Sequence, residues 1–141
     1  MKSSSQAILA LVLAAALVCP AATDSSWMKR VPESDRHKVN PYAQQSQAIA
    51  AGRKLFVDHC AQCHGADALG NGKRPSLRAA EVQNASDGEM FWILRNGYVR
   101  RGMPSWSSLP EQSRWQIIAY VKSLGVSAEN HSDDQARTEK P

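Results

Sequence analysis

Cys60-Ala61-Gln62-Cys63-His64 constrains this chain more than any other stretch of its 141 residues. Two cysteines three apart, with a histidine directly after, form the pattern by which a haem is attached covalently to a polypeptide. On a helical turn, residues three and four apart share one face, so both sulfurs and the imidazole point the same way. Each thiolate then bonds one haem vinyl group, and the His64 imidazole reaches the iron from that side. Two other chemistries use the same cysteine spacing. A closed zinc site needs four ligands. His59 and His64 flank the pair too closely to complete a tetrahedron, and the remaining cysteine, Cys19, lies in a segment expected to be removed. A thioredoxin-like dithiol belongs beside a βαβ pattern, and no strand pattern is present. The residues favour haem attachment over both.

Residues 7–18 form an unbroken apolar run behind Lys2, followed by Cys19-Pro20-Ala21-Ala22. A basic start, a short apolar run and small residues after it predict a secretory signal peptide over 1–22, cleaved near Ala21–Thr23. The run falls short of the about 20 apolar residues that span a bilayer. The mature chain is therefore expected to be exported to the periplasm, with no transmembrane span. Lipid attachment at Cys19 is disfavoured, because Val18 precedes it and Pro20 follows. Cleavage leaves only the two cysteines of the pair, so no disulfide competes for them.

Removing 1–22 takes the formal charge from +4 to +3, and the excess is uneven. Between Gly52 and Leu124 stand ten Lys/Arg against six Asp/Glu, while the tail from Gly125 carries two against four. This is either a solvated basic face or a steering patch for an acidic partner. Nucleic-acid binding is excluded as a reading, since no basic run interleaves with aromatics.

Four segments follow in order. Residues 23–45 read as a polar arm, with Pro32 and Pro41 against a continuous helix and Trp27 and Tyr42 as packing anchors. This arm is expected to be extended and folded back on the domain, and a mobile arm is a poor place for Met28 or His37 to hold iron. Residues 46–125 read as the haem domain. Within it, Ala48, Ile49, Gly52, Leu55, Phe56 and Cys60 recur at helical steps. Gly52 costs about 1 kcal/mol against alanine inside a helix, which points either to tolerance or to a second helix crossing there. Gly65 to Arg78 lacks periodicity and reads as a loop whose glycines let backbone approach a flat ligand. Ser86 and Glu89 make a capping box for a helix that Gly97 closes. Met103 sits in a Gly-Met-Pro loop 39 residues after His64, a flexible thioether between stiff neighbours, as a second iron ligand requires. A last helix is expected from near Ser108, with Glu111 in capping-box position and Ile117, Tyr120, Val121 and Leu124 as its apolar stripe, ending at Gly125. Residues 126–141 read as a disordered polar tail.

Helix, C-x-x-C-H, glycine loop, Met loop and final helix, in this order over residues 46–125, resemble the class I c-type cytochromes. The likeness is greatest to small bacterial haem-c domains of cbb-type oxidase subunits and dehydrogenase-linked cytochromes. The resemblance implies an all-α fold with crossing first and last helices around one covalently attached haem c. It implies thioethers at Cys60 and Cys63, His64 as proximal and Met103 as distal iron ligand. It further implies that the Pro75 carbonyl accepts the Nδ1–H of His64, that Leu77 packs on the haem, and that Gly52, Phe56 and Tyr120 form the helix crossing. Arg78 or Arg101 is expected to neutralise the propionates. With both axial positions filled, the implied function is one-electron carriage between a dehydrogenase or reductase and an oxidase, with no catalysis. A fixed subunit of a larger complex, or a haem sensor or peroxidase, remains the alternative.

Overall fold

A computed structural model describes residues 25–138, and side chains over 26–125. The reading of 1–22 as a signal peptide lies outside the described residues. The chain is all-α, with six helices among those residues: α1 (Glu33–Arg36), α2 (Ser46–His59), α3 (Ala61–His64), α4 (Ala80–Asn84), α5 (Asp87–Asn96) and α6 (Glu111–Thr138). Among the described residues there is no strand, only isolated bridges pairing Asn71 with Arg74 and Tyr98 with Met103.

The architecture rests on α2 crossing α6, the most extensive contact between any two elements. Ala48, Gly52 and Phe56 recur every four residues on the buried face of α2. Opposite them α6 buries Trp115, Ile118 and Tyr120 in the same core. The side chain Gly52 lacks is what permits the approach: a Cβ there would collide with the Gln116 carbonyl, and it would lie 3.0 Å from Tyr120 Cβ. One turn later the Phe56 and Tyr120 rings stand 5.3 Å apart at 57°. Gly52 is thus required by the crossing, and the expected contact of Gly52, Phe56 and Tyr120 is present.

The capping box at Ser86 is formed in both directions. The Glu89 N–H donates to Ser86 Oγ at 3.1 Å, and the Ser86 N–H donates to the Glu89 carboxylate at 2.8 Å. From this start α5 buries Met90, Phe91, Trp92 and Leu94, and Phe91 stacks on Trp115 of α6 at 4.1 Å. Gly97 closes the helix through its N–H to the Ile93 carbonyl, 2.7 Å. Lys122 of α6 donates its ammonium to the carbonyls of Gln83 and Ala85 at the end of α4. A cation there meets the negative end of the short helix. Burial pushes its pKa below the usual lysine range, against the opposing pull of Asp87 and Glu89.

Three sequence expectations are corrected. First, α6 begins at Glu111, three residues later than Ser108. The Arg114 N–H bonds the Pro110 carbonyl, and Glu111 accepts from the Trp115 indole at 3.3 Å. Second, α6 does not stop at Gly125 but runs on to Thr138. A Cβ at Gly125 would collide with the Gln83 side chain, whose amide donates to the Leu77 and Val121 carbonyls. That glycine serves a close approach, and no proline follows it before Pro141.

Third, the arm is not extended. Ser25–Arg30 forms a 3₁₀ helix, and α1 follows directly after Pro32. Trp27, Val31, Asp35 and Asn40 are buried, and Asn40 donates its side-chain amide to the Trp115 carbonyl at 2.8 Å. Asp35 pairs with Lys38 and with Arg95 of α5. The Lys38 bond, more than the charge of Arg95, holds its carboxyl below the usual carboxylate range against the opposing effect of burial. A lowered folded-state pKa contributes stability that is fully present above the ordinary carboxylate range and is lost as pH falls through the lowered value. Asp35→Asn should therefore cost about 1–2 kcal/mol at neutral pH. In urea titrations at successively lower pH, the gap from the parent should close in acid.

Candidate functional site

The site begins where α2 ends. Cys60 closes α2 through its N–H to the Phe56 carbonyl, 2.8 Å, and its own carbonyl accepts the N–H groups of Cys63 and His64 at 3.1 and 2.9 Å. These bonds make Cys60 to His64 one helical turn, with Cys60 buried and Cys63 and His64 half-buried. The loop after it folds back on this turn. Gly70 donates its N–H to the His64 carbonyl at 2.8 Å. With φ of +88°, and with the backbone of Arg74, Pro75 and Ser76 pressed against it, no larger residue fits at this position. The fold-back brings the Pro75 carbonyl to 3.0 Å from His64 Nδ1.

A carbonyl only accepts, so Nδ1 carries the proton and Nε2 keeps its lone pair. This is the carbonyl-backed imidazole typical of a metal-ligating histidine. Burial, chiefly, pushes the His64 pKa below its ordinary value; Pro75 opposes this and the Arg74 charge adds to it. A neutral ring is the ligating form. The Cys60 thiol is pushed up to about 12 by burial and then by neighbouring Cys63. A redox dithiol needs the opposite shift, so this environment speaks against thioredoxin-like chemistry. Among the described residues, no three His, Cys, Asp or Glu side chains converge as a metal cage would require.

Met103 lies on the loop between α5 and α6. Its N–H and carbonyl exchange hydrogen bonds with Tyr98, at 3.2 and 2.9 Å, across the 3₁₀ turn Val99–Arg101. Met103 is half-buried against the core and borders a shallow concavity with Val99, Gly102, Pro104 and Ser105. Two contacts join this loop to the Cys60–His64 region. The His59 and Trp106 rings stand 5.2 Å apart, and Arg74, next to Pro75, donates to the Arg101 carbonyl at 2.6 Å. The cysteine turn, the Pro75 loop and the Met103 loop are thus neighbours in space.

Leu55, Leu77, Ile93, Trp106 and Leu109 pack on the core yet remain partly exposed. Such side chains on the elements flanking the site suit a large apolar ligand, and the residues fit a haem. Arg78 donates its Nε to the Asp67 carbonyl at 2.7 Å, which ties that side chain to the loop. Sequence reading missed Arg114, a buried arginine whose guanidinium gathers the carbonyls of Trp106, Ser107 and Leu109. It also missed Arg74 as the bridge between loops. Neither has a local signal, since an arginine in a first turn or a loop reads as solvated.

A single all-α domain with crossing terminal helices, a C-x-x-C-H turn backed by a proline carbonyl and a methionine loop beside it is a small c-type cytochrome domain. Residues 47–121 match the family described as cytochrome C oxidase, cbb3-type, subunit III, and the chain belongs to that family. It is 30% identical to cytochrome c550 of Pseudomonas aeruginosa over 123 residues, 82% of this chain and 85% of that one. It is 54% identical over 91 residues to the cbb3-type cytochrome c oxidase subunit CcoP of Rubrivivax gelatinosus, covering 62% of this chain but 30% of the relative. Among solved structures, cytochrome CL from Methylophaga aminisulfidivorans superposes with a TM-score of 0.54 at 31% identity, over 60% of this chain and 58% of that one. Family membership implies haem c binding and electron transfer between redox partners, in place of catalysis.

Proposed function

We propose that the chain is a periplasmic single-haem electron carrier, cycling iron between Fe(II) and Fe(III) between a dehydrogenase or reductase and an oxidase. The hydrogen bond from His64 to Pro75 carries this reading, because it prepares one ring nitrogen for iron beside two cysteines on the same turn. Cys60 and Cys63 would hold haem c by thioethers, and His64 and Met103 would ligate its iron. Bound haem c would supply a one-electron change at iron, and ligation by a thioether together with an imidazole would favour the reduced state. Around it, His64 is held neutral and oriented, and Tyr98 and Arg74 fix the loop that presents Met103. With His64 and Met103 both ligating, no place on the metal would be left for substrate.

The covalent haem has a direct test. The reduced spectrum should be that of haem c, and the oxidised protein should show a sulfur-to-iron charge-transfer band. Met103→Ala should abolish that band and create carbon monoxide binding where the parent has little. Full carbon monoxide binding by the parent would instead support a sensor or peroxidase. Lys73, Arg100 and Arg101 are exposed beside Arg74 and steer an acidic partner. Such encounters are salt-dependent. Reduction by an acidic donor should slow as ionic strength rises, and a salt-independent rate would remove the steering. The likeness to an oxidase subunit supports a second reading, a fixed subunit of a larger complex, for which co-purification with an oxidase or dehydrogenase is the discriminating result.

A further inference from the structure

We propose that the N-terminal arm is a clamp on the methionine loop, with Tyr98 the positioning residue through which Ser26 and Arg30 hold Met103. The inference rests on reading Met103 as an iron ligand. Both backbone hydrogen bonds of Met103 go to Tyr98, so the two residues move together. The Tyr98 hydroxyl lies 2.9 Å from Ser26 Oγ, and the Arg30 guanidinium stands 5.9 Å from the Tyr98 ring centroid and 5.7 Å from that of Trp92. Beyond Met103, Ser105 donates its hydroxyl to the Arg95 carbonyl at 2.6 Å, and the Arg95 side chain pairs with Asp35 of the arm at 3.3 Å. The arm therefore touches the loop directly at Tyr98 before the methionine, and after it is linked to Ser105 only through Arg95 of α5.

The arm is itself anchored. Trp27 and Val31 are 8% and 5% exposed, Arg36 pairs with Glu89, and Asn40 is bonded to the Trp115 carbonyl. Residues 25–40 lie outside residues 47–121, the stretch that matches the family. The clamp's physical effect is on the loop equilibrium. A foreign ligand reaches ferric iron only when Met103 has swung away, and its apparent affinity falls with the fraction of molecules in that open state.

The test uses the full-length oxidised holoprotein titrated with imidazole, read by loss of the sulfur-to-iron band. Ser26→Ala and Arg30→Ala should bind imidazole roughly three- to tenfold more tightly than the parent. They should also exchange the Tyr98 and Met103 amide hydrogens faster. Lys122→Met, which removes the cation bonded to the Gln83 and Ala85 carbonyls at the end of α4, should lower overall stability and leave imidazole affinity unchanged. Unchanged affinity in both arm variants, or an equal gain in Lys122→Met, overturns the clamp while Met103 stays a ligand. A parent without the band overturns the ligand reading instead. Hydrogen exchange then still decides the clamp, which is rejected if Tyr98 and Met103 exchange as in the parent.

Discussion

Cys60→Ala combined with Cys63→Ala is expected to leave a chain that does not accumulate as a folded protein. A domain of about 80 residues buries only roughly 60–65% of the surface its unfolded chain exposes, so its own core is marginal. Here several large apolar side chains, among them Leu77, Ile93, Trp106 and Leu109, pack on that core while remaining partly exposed. A tethered macrocycle covers such groups and reduces the entropy of the unfolded chain. Losing it removes more than the few kcal/mol, on the order of 5, that separate a small domain from its unfolded state. Far-UV circular dichroism and limited proteolysis of the purified product give the readout. A stably helical, haem-free product would contradict the account.

Gly52→Ala should destabilise the holoprotein by about 1–2 kcal/mol, although alanine is the better helix former. The two effects oppose each other, and their sizes decide the sign. Relief of the glycine penalty is worth about 1 kcal/mol within α2. Against it, the new Cβ would overlap the Gln116 backbone carbonyl, which no side-chain rotation can move. The helices must separate, and that loosens the packing of Phe56 and Tyr120 next to the cysteine turn. A guanidinium denaturation series would measure the loss. An unchanged or raised midpoint would mean that the crossing is not held as closely as the backbone contact requires.

The main helices were legible because their residues announce themselves locally. Ala48, Gly52 and Phe56 carry the period of α2, and Ser86 with Glu89 marks the start of α5 within four residues. The Cys60–His64 turn is legible for the same reason, since spacing along one turn fixes which side chains share a face. The arm's conformation was misread, because Pro32 and Pro41 speak against a long helix and say nothing about a 3₁₀ turn, whereas Trp27 was legible as a packing anchor and is buried. Gly125 was misread because a glycine that stops a helix and one that admits a neighbour look identical in a chain. Only the Gln83 side chain lying against it distinguishes them.

From its residues alone, this protein's helical class and the C-x-x-C-H turn read as its haem-attachment site are determined, because both are set by chemistry within one or two turns. The bond from His64 to the Pro75 carbonyl, implied beforehand only by the resemblance, is present in the tertiary structure, which alone decided that Arg74 and Trp106 join the methionine loop to the cysteine turn and that Ser26 meets Tyr98. The last of these contacts spans 72 residues. Contacts at such distance are selected by packing, after the helices exist, and leave no local periodicity to read.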